Sequence, residues 1–121
     1  MIICIPTMDS EGLFSEISLH FGKSPYFTIL DIKDNKIEKI EVIKNIGRHD
    51  GGKKTPAEII IQSKPDILLC ANLGSKAVQM LNKNNVKIFV GASGDVENTF
   101  EEWKNDNLQL ADGKTVCIEG N

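Results

Sequence analysis

At 121 residues the chain is one domain by size, residues 1–121, long enough to bury a core without disulfide or metal staples. Its 40% apolar and 26% charged residues are ordinary for a soluble globular protein. A net charge of −3, with no lysine stripe interleaved with aromatics, argues against a nucleic-acid partner. No apolar run approaches the roughly 18 to 20 residues of a membrane span, and MIICIPTMDS lacks the charged and small-residue marks of a signal peptide. The expectation is a cytoplasmic protein with neither membrane nor nucleic acid as partner.

The first element is the β-rich run IICIP (2–6). YFTILDI (26–32) and KIEKIEVIK (36–44) follow a polar connection and flank Asp34-Asn35, which reads as a hairpin. Thr55-Pro56-Ala57-Glu58 spells a capping box with proline at the first helical position. Ala57, Ile60 and Ile61 form the apolar stripe of that helix, and Pro65 stops it. DILLCA (66–71) is a continuous apolar run, the mark of a strand covered on both faces.

A second helix carries Leu73, Ala77, Met80 and Leu81 at helical spacing, and VKIFVG (86–91) is another buried strand. Asp95 caps a third helix with Val96, Phe100 and Trp103 on one side. From Leu108 onward an irregular tail is expected. The order β-β-β-α-β-α-β-α predicts an α/β fold with a mixed five-stranded sheet, one antiparallel strand and three helices.

The three cysteines, Cys4, Cys70 and Cys117, are odd in number, widely spaced and without a CxxC knuckle. Cys4 reads as a small buried hydrophobe, whereas Cys70 lies near the end of its strand, where open α/β sheets place ligands.

Gly47-x-x-x-x-Gly52-Lys53 almost spells a phosphate-binding loop. A true one places Ser or Thr directly after the lysine to hold Mg²⁺. Here Lys54 stands in that place. Thr55 comes one residue late, about 100° of helix rotation away, and is already used as a cap. No carboxylate follows DILLCAN to hold the metal, so nucleotide hydrolysis is not expected. Residues 46–54 instead read as a lid that orders when something binds, offering Arg48, His49 and Lys53. The element order also resembles that of RNase H, but IICIP carries no carboxylate for two-metal chemistry and DILLCA has Asp66 at the wrong end.

His20 stands in 18-SLHFGKSPYF-27, beside Gly22, which permits close approach of backbone and ligand. The plainer alternative is a loop histidine with Phe21 plugging the core. The segments Ser18-x-His20-Phe21-Gly22-Lys23-x-x-Tyr26-Phe27, Val42-Ile43-x-Asn45 and Gly51-Gly52 carry a wider likeness. Asp66-Ile67-Leu68, Gly74-x-x-Ala77, Val86-Lys87-Ile88 and Gly94-x-Val96 continue it. Together they resemble the dinitrogenase iron–molybdenum cofactor biosynthesis family, the small NifX- and NifB-type accessory domains, from residue 1 to about residue 110. The chain departs from common members at 104-KNDNL-108, where a glycine often precedes the leucine.

The resemblance implies an RNase H-like three-layer fold without nuclease chemistry, and a non-enzyme that carries or helps assemble an iron–sulfur or molybdenum–iron–sulfur cluster. It maps the family histidine onto His20. Soft thiolate and imidazole suit such clusters, so His20, His49 and Cys70 are the candidate metal ligands. Arg48, His49 and Lys53 join His20 as candidate cofactor-binding residues, with cations to offset an anionic cluster. Expected partners are the cluster and its donor or acceptor proteins, with the chain a monomer or weak dimer. The alternative function is a small-molecule or protein-binding regulatory domain of the same fold without a cluster.

Overall fold

The computed structural model describes residues 1–45 and 55–111. Its centre is β1 (Ile2–Thr7), a run so apolar that only Ile2 of its residues escapes full burial. β2 (Tyr26–Lys33) pairs with it antiparallel and β3 (Lys36–Lys44) pairs antiparallel with β2. Asp34 and Asn35 join the last two with φ of 53° and 65°, the left-handed pair of a type I′ turn that matches strand twist. On the other flank β4 (Ile67–Leu69) and β5 (Lys87–Val90) run parallel to β1, and β6 (Gln109–Ala111) closes the sheet antiparallel to β5. The sheet order is β3-β2-β1-β4-β5-β6.

Helices α1 (Pro56–Gln62), α2 (Ser75–Lys83) and α3 (Val96–Lys104) make the other layers. The capping box forms as spelled: Glu58 N–H donates to Thr55 Oγ1 at 3.2 Å and Thr55 N–H to Glu58 Oε1 at 2.8 Å. Asp95 caps α3 by accepting from Asn98 N–H at 2.8 Å. Because strand residues alternate, β1 feeds two cores. Cys4 joins Phe27, Ile29, Leu68 and Ile88 beneath α1 and α2, while Ile3 and Ile5 join Leu30 and Leu69 beneath α3.

Four expectations need correction. The sheet has six strands rather than five, since Ala111 is buried beside Ile88 and draws Gln109–Ala111 out of the expected tail into pairing. Two strands, β2 and β6, therefore run against the other four. In α1 the buried isoleucines are Ile59 and Ile60, with Ile61 only half-buried. In α2 the buried residues are Val78 and Leu81, Met80 is 37% exposed, and Leu73 is buried ahead of the helix.

Burial also fixes the state of two thiols. Desolvation pushes Cys70 up to about 12, and it pushes Cys4 further, with Cys70 adding a smaller like-charge effect. Both thiols therefore stay protonated at neutral pH.

The two cores set the scale of expected mutational effects. Phe27→Ala, at a site with no exposed surface, should cost about 3–5 kcal/mol, against about 1 kcal/mol for loss of the cap in Thr55→Ala. Urea unfolding that ranked the two in the opposite order would contradict the layer assignment. A pH series gives an independent check. Unfolded thiols ionise near 9.0 and the folded ones above it, so beyond that point the folded chain binds more protons. Stability should be full below pH 9 and fall as pH rises, by about 1.4 kcal/mol per pH unit for each thiol. Cys70→Ala should remove its share of that slope, and an unchanged slope would show that the thiol is solvated.

Candidate functional site

The carboxyl ends of β1 and β4 lie side by side, because those strands are parallel neighbours. The segment following β1 does not leave this edge as a plain loop. Met8 N–H donates to Glu16 O at 2.8 Å and Ser18 N–H to Pro6 O at 2.9 Å, folding the segment back along the strand it leaves. Ile17 N–H donates to Gly94 O and Val96 N–H to Ser15 O, both at 3.0 Å, which ties it to the start of α3. A 3₁₀ turn, Gly12–Phe14, packs on α3, and a second, Phe21–Lys23, packs on α1.

His20 caps that second turn from an exposed position. Its backbone is held on both sides: its N–H donates to Ser18 Oγ at 3.3 Å, and its carbonyl accepts from Ser18 Oγ at 3.2 Å and from Lys23 N–H at 3.1 Å. Phe21 follows, half-buried and tilted against Phe27 with ring centroids 6.1 Å apart. That aromatic contact anchors the turn to the core. Phe21 is thus the plug that the plainer reading expected, and the neighbouring His20 is exposed. Apart from its chain neighbours, Gly22 has no atom within 4 Å of where a Cβ would stand, so the space at that position is open.

Beneath the turn lies a set of buried polar side chains. Ser24 Oγ reaches the carbonyl oxygens of Thr7 at 3.0 Å and Tyr26 at 2.8 Å. Thr7 and Thr28 hydroxyls meet at 3.0 Å across β1 and β2. Asn45, at the end of β3, donates from Nδ2 to Ser24 O at 2.7 Å, and its main-chain N–H donates to Pro25 O at 3.0 Å. Reading residues one by one overlooks this set. Its signal is Asn45, the residue directly after KIEKIEVIK, an amide where the apolar pattern stops.

Cys70 follows β4 at the same edge, but its thiol belongs to the core. The residue is 1% exposed, its N–H donates to Phe89 O at 3.0 Å, and its Sγ lies 3.9 Å from the same oxygen. A sealed, protonated thiol argues against Cys70 as a ready ligand. Arg48, His49 and Lys53, and with them the expected lid over 46–54, lie outside the described residues, as does Cys117. Among the described residues no three His, Cys, Asp or Glu side chains gather as a metal site, so His20 is the one candidate ligand that faces outward there. No helix among them is long and apolar enough to cross a membrane.

Known proteins share this architecture. The apo form of the orange protein from Desulfovibrio gigas superposes with a TM-score of 0.77 at 19% identity, covering 91% of this chain and 92% of that one. A candidate NifB protein from Thermotoga gives 0.72 at 23% identity over 90% and 91% of the two chains. Both likenesses establish the fold. An uncharacterized protein of Methanocaldococcus jannaschii is 22% identical over 97 residues, which is 78% of this chain and 82% of that protein. The family model described as dinitrogenase iron-molybdenum cofactor matches residues 1–106, and the chain belongs to that family.

Proposed function

We propose that the protein is a non-catalytic carrier or assembly factor whose cargo is an iron–sulfur or molybdenum-containing cluster. The observation that carries the reading is the outward imidazole of His20 on a turn pinned at the carboxyl edge of the sheet, where open α/β sheets take ligands. Membership of a family described by a dinitrogenase cofactor supplies the class of cargo. The order β3-β2-β1-β4-β5 supports an RNase H-like ancestry, and the apolar β1 lacks the carboxylates of that nuclease chemistry.

In this reading His20 is a metal ligand, with His49 as the second and Arg48 and Lys53 offsetting the cluster's negative charge. Cys70 is left out, because its thiol would have to leave the core and lose its proton first. So few protein ligands suit cargo that must be handed on, since a cluster held entirely by protein takes about four. The partners are then a donor and an acceptor protein. A second reading, a small-molecule or protein-binding regulatory domain of the same fold without a cluster, is favoured by the burial of the Cys70 thiol, which withdraws one of the expected soft ligands.

Anaerobic titration with ferrous ion and sulfide separates the two readings. His20→Ala should weaken loading by at least about tenfold, and an exposed loop substitution should move stability by no more than about 0.5 kcal/mol. Loading that ignored the substitution would remove His20 from the site. Nucleotide turnover is a further check, since Lys54 stands where a phosphate-binding loop needs a hydroxyl. Neither ATP nor GTP should be hydrolysed above a buffer control. Turnover that disappeared in Lys53→Ala would make the protein an enzyme.

A further inference from the structure

Among the described residues Asn45 Oδ1 is a buried acceptor with no hydrogen-bond partner, in a residue only 2% exposed. Buried acceptors are ordinarily paired, so this one sets Asn45 apart from the other buried polar side chains at this edge. The amide cannot simply be turned over to improve matters. Nδ2 donates to Ser24 O at 2.7 Å, and a flip would set two oxygens against each other. A side chain present for stability alone would be apolar or fully paired. Among the described residues Asn45 is neither, and the part of its amide that is engaged holds one group.

That group is the root of the His20 turn. Nδ2 fixes the carbonyl of Ser24, and the main-chain N–H of Asn45 fixes the carbonyl of Pro25 at 3.0 Å. Ser24 is in turn tied to the end of β1 through its hydroxyl and Thr7 O. Its N–H donates to Phe21 O at 3.4 Å, and Lys23 N–H donates to His20 O at 3.1 Å. Two successive contacts, Asn45 to Ser24 and Ser24 to Phe21, therefore join the end of β3 to the residue beside the imidazole. The second is long, so the turn relies on the shorter contact at its root.

We infer that Asn45 is a positioning residue, whose carboxamide locks Ser24 and so presents the His20 imidazole to the ligand in one orientation. The inference rests on the cluster-carrying reading and adds to it a residue that does not touch the cargo. Without the clamp the turn keeps its Phe21 anchor and the fold survives, but the imidazole samples several orientations and binding weakens.

The test uses the full chain and anaerobic loading with ferrous ion and sulfide. Asn45→Ala removes the clamp together with the unpaired oxygen, so it should remain folded. Asn45→Asp, which replaces the donor with a second oxygen, is the companion variant. Both should load about tenfold more weakly than the parent. In the metal-free protein both should split or broaden the NMR signals of the His20 imidazole. Val78→Ala, in the core beneath α2, is the control for plain destabilisation and should leave loading and imidazole signals unchanged. Parent-like loading of the Asn45 variants, or an equal loss in Val78→Ala, would overturn the inference. If His20→Ala weakens loading and Asn45→Ala does not, the clamp alone fails. If neither variant weakens it, His20 lies outside the site and the inference falls with it, whereas a parent chain that takes up no cluster at all would end the cluster-carrying reading.

Discussion

The constraint on which the rest depends is the double burial of β1. A strand whose residues from Ile3 to Thr7 are all buried needs partners along both edges and a cover on both faces. The β2–β3 hairpin supplies one edge and β4 the other. α1 and α2 cover the Cys4 side, and α3 with the Gly12–Phe14 turn covers the side of Ile3 and Ile5. Alternation along one short strand thereby divides the molecule into two cores and makes it three layers deep.

The same constraint shapes the edge where the proposed site lies. β1 carries no polar side chain until Thr7, its last residue, which must find a partner and finds Thr28 at 3.0 Å. From there the buried polar groups of Ser18, Ser24 and Asn45 take over where the apolar pattern of the strands runs out. They hold a turn rather than a ladder, and the turn holds a histidine outward. The proposed site is thus at an edge where the sheet's hydrogen bonding ends. Both thiols among the described residues, Cys4 and Cys70, are spent on packing.

Local rules made much of the fold legible. Asp34-Asn35 reads as a hairpin because few residue pairs accept two positive φ values, and Thr55-Pro56-Ala57-Glu58 reads as a helix start because the cap is written within four residues. Non-local choices were illegible. Three consecutive isoleucines, Ile59 to Ile61, let the periodic pattern point in more than one direction, and only packing on the sheet selects Ile59 and Ile60. β6 is three residues long and exists because β5 has a free edge. His20, Ser18 and Asn45 could be picked out from the segments they stand in, but which of them meet in space could not. Asn45 and Ser24 are 21 residues apart, and nothing in either neighbourhood announces that they meet.

The central claim is that an outward histidine on a rigid turn serves a metal–sulfur cargo. The most direct measurement is metal and acid-labile sulfide content, with the visible absorption spectrum, of protein purified without oxygen. The account predicts a coloured protein carrying both metal and sulfide in fixed proportion to the chain. A colourless protein that holds neither, and stays colourless after ferrous ion and sulfide are supplied, would contradict it.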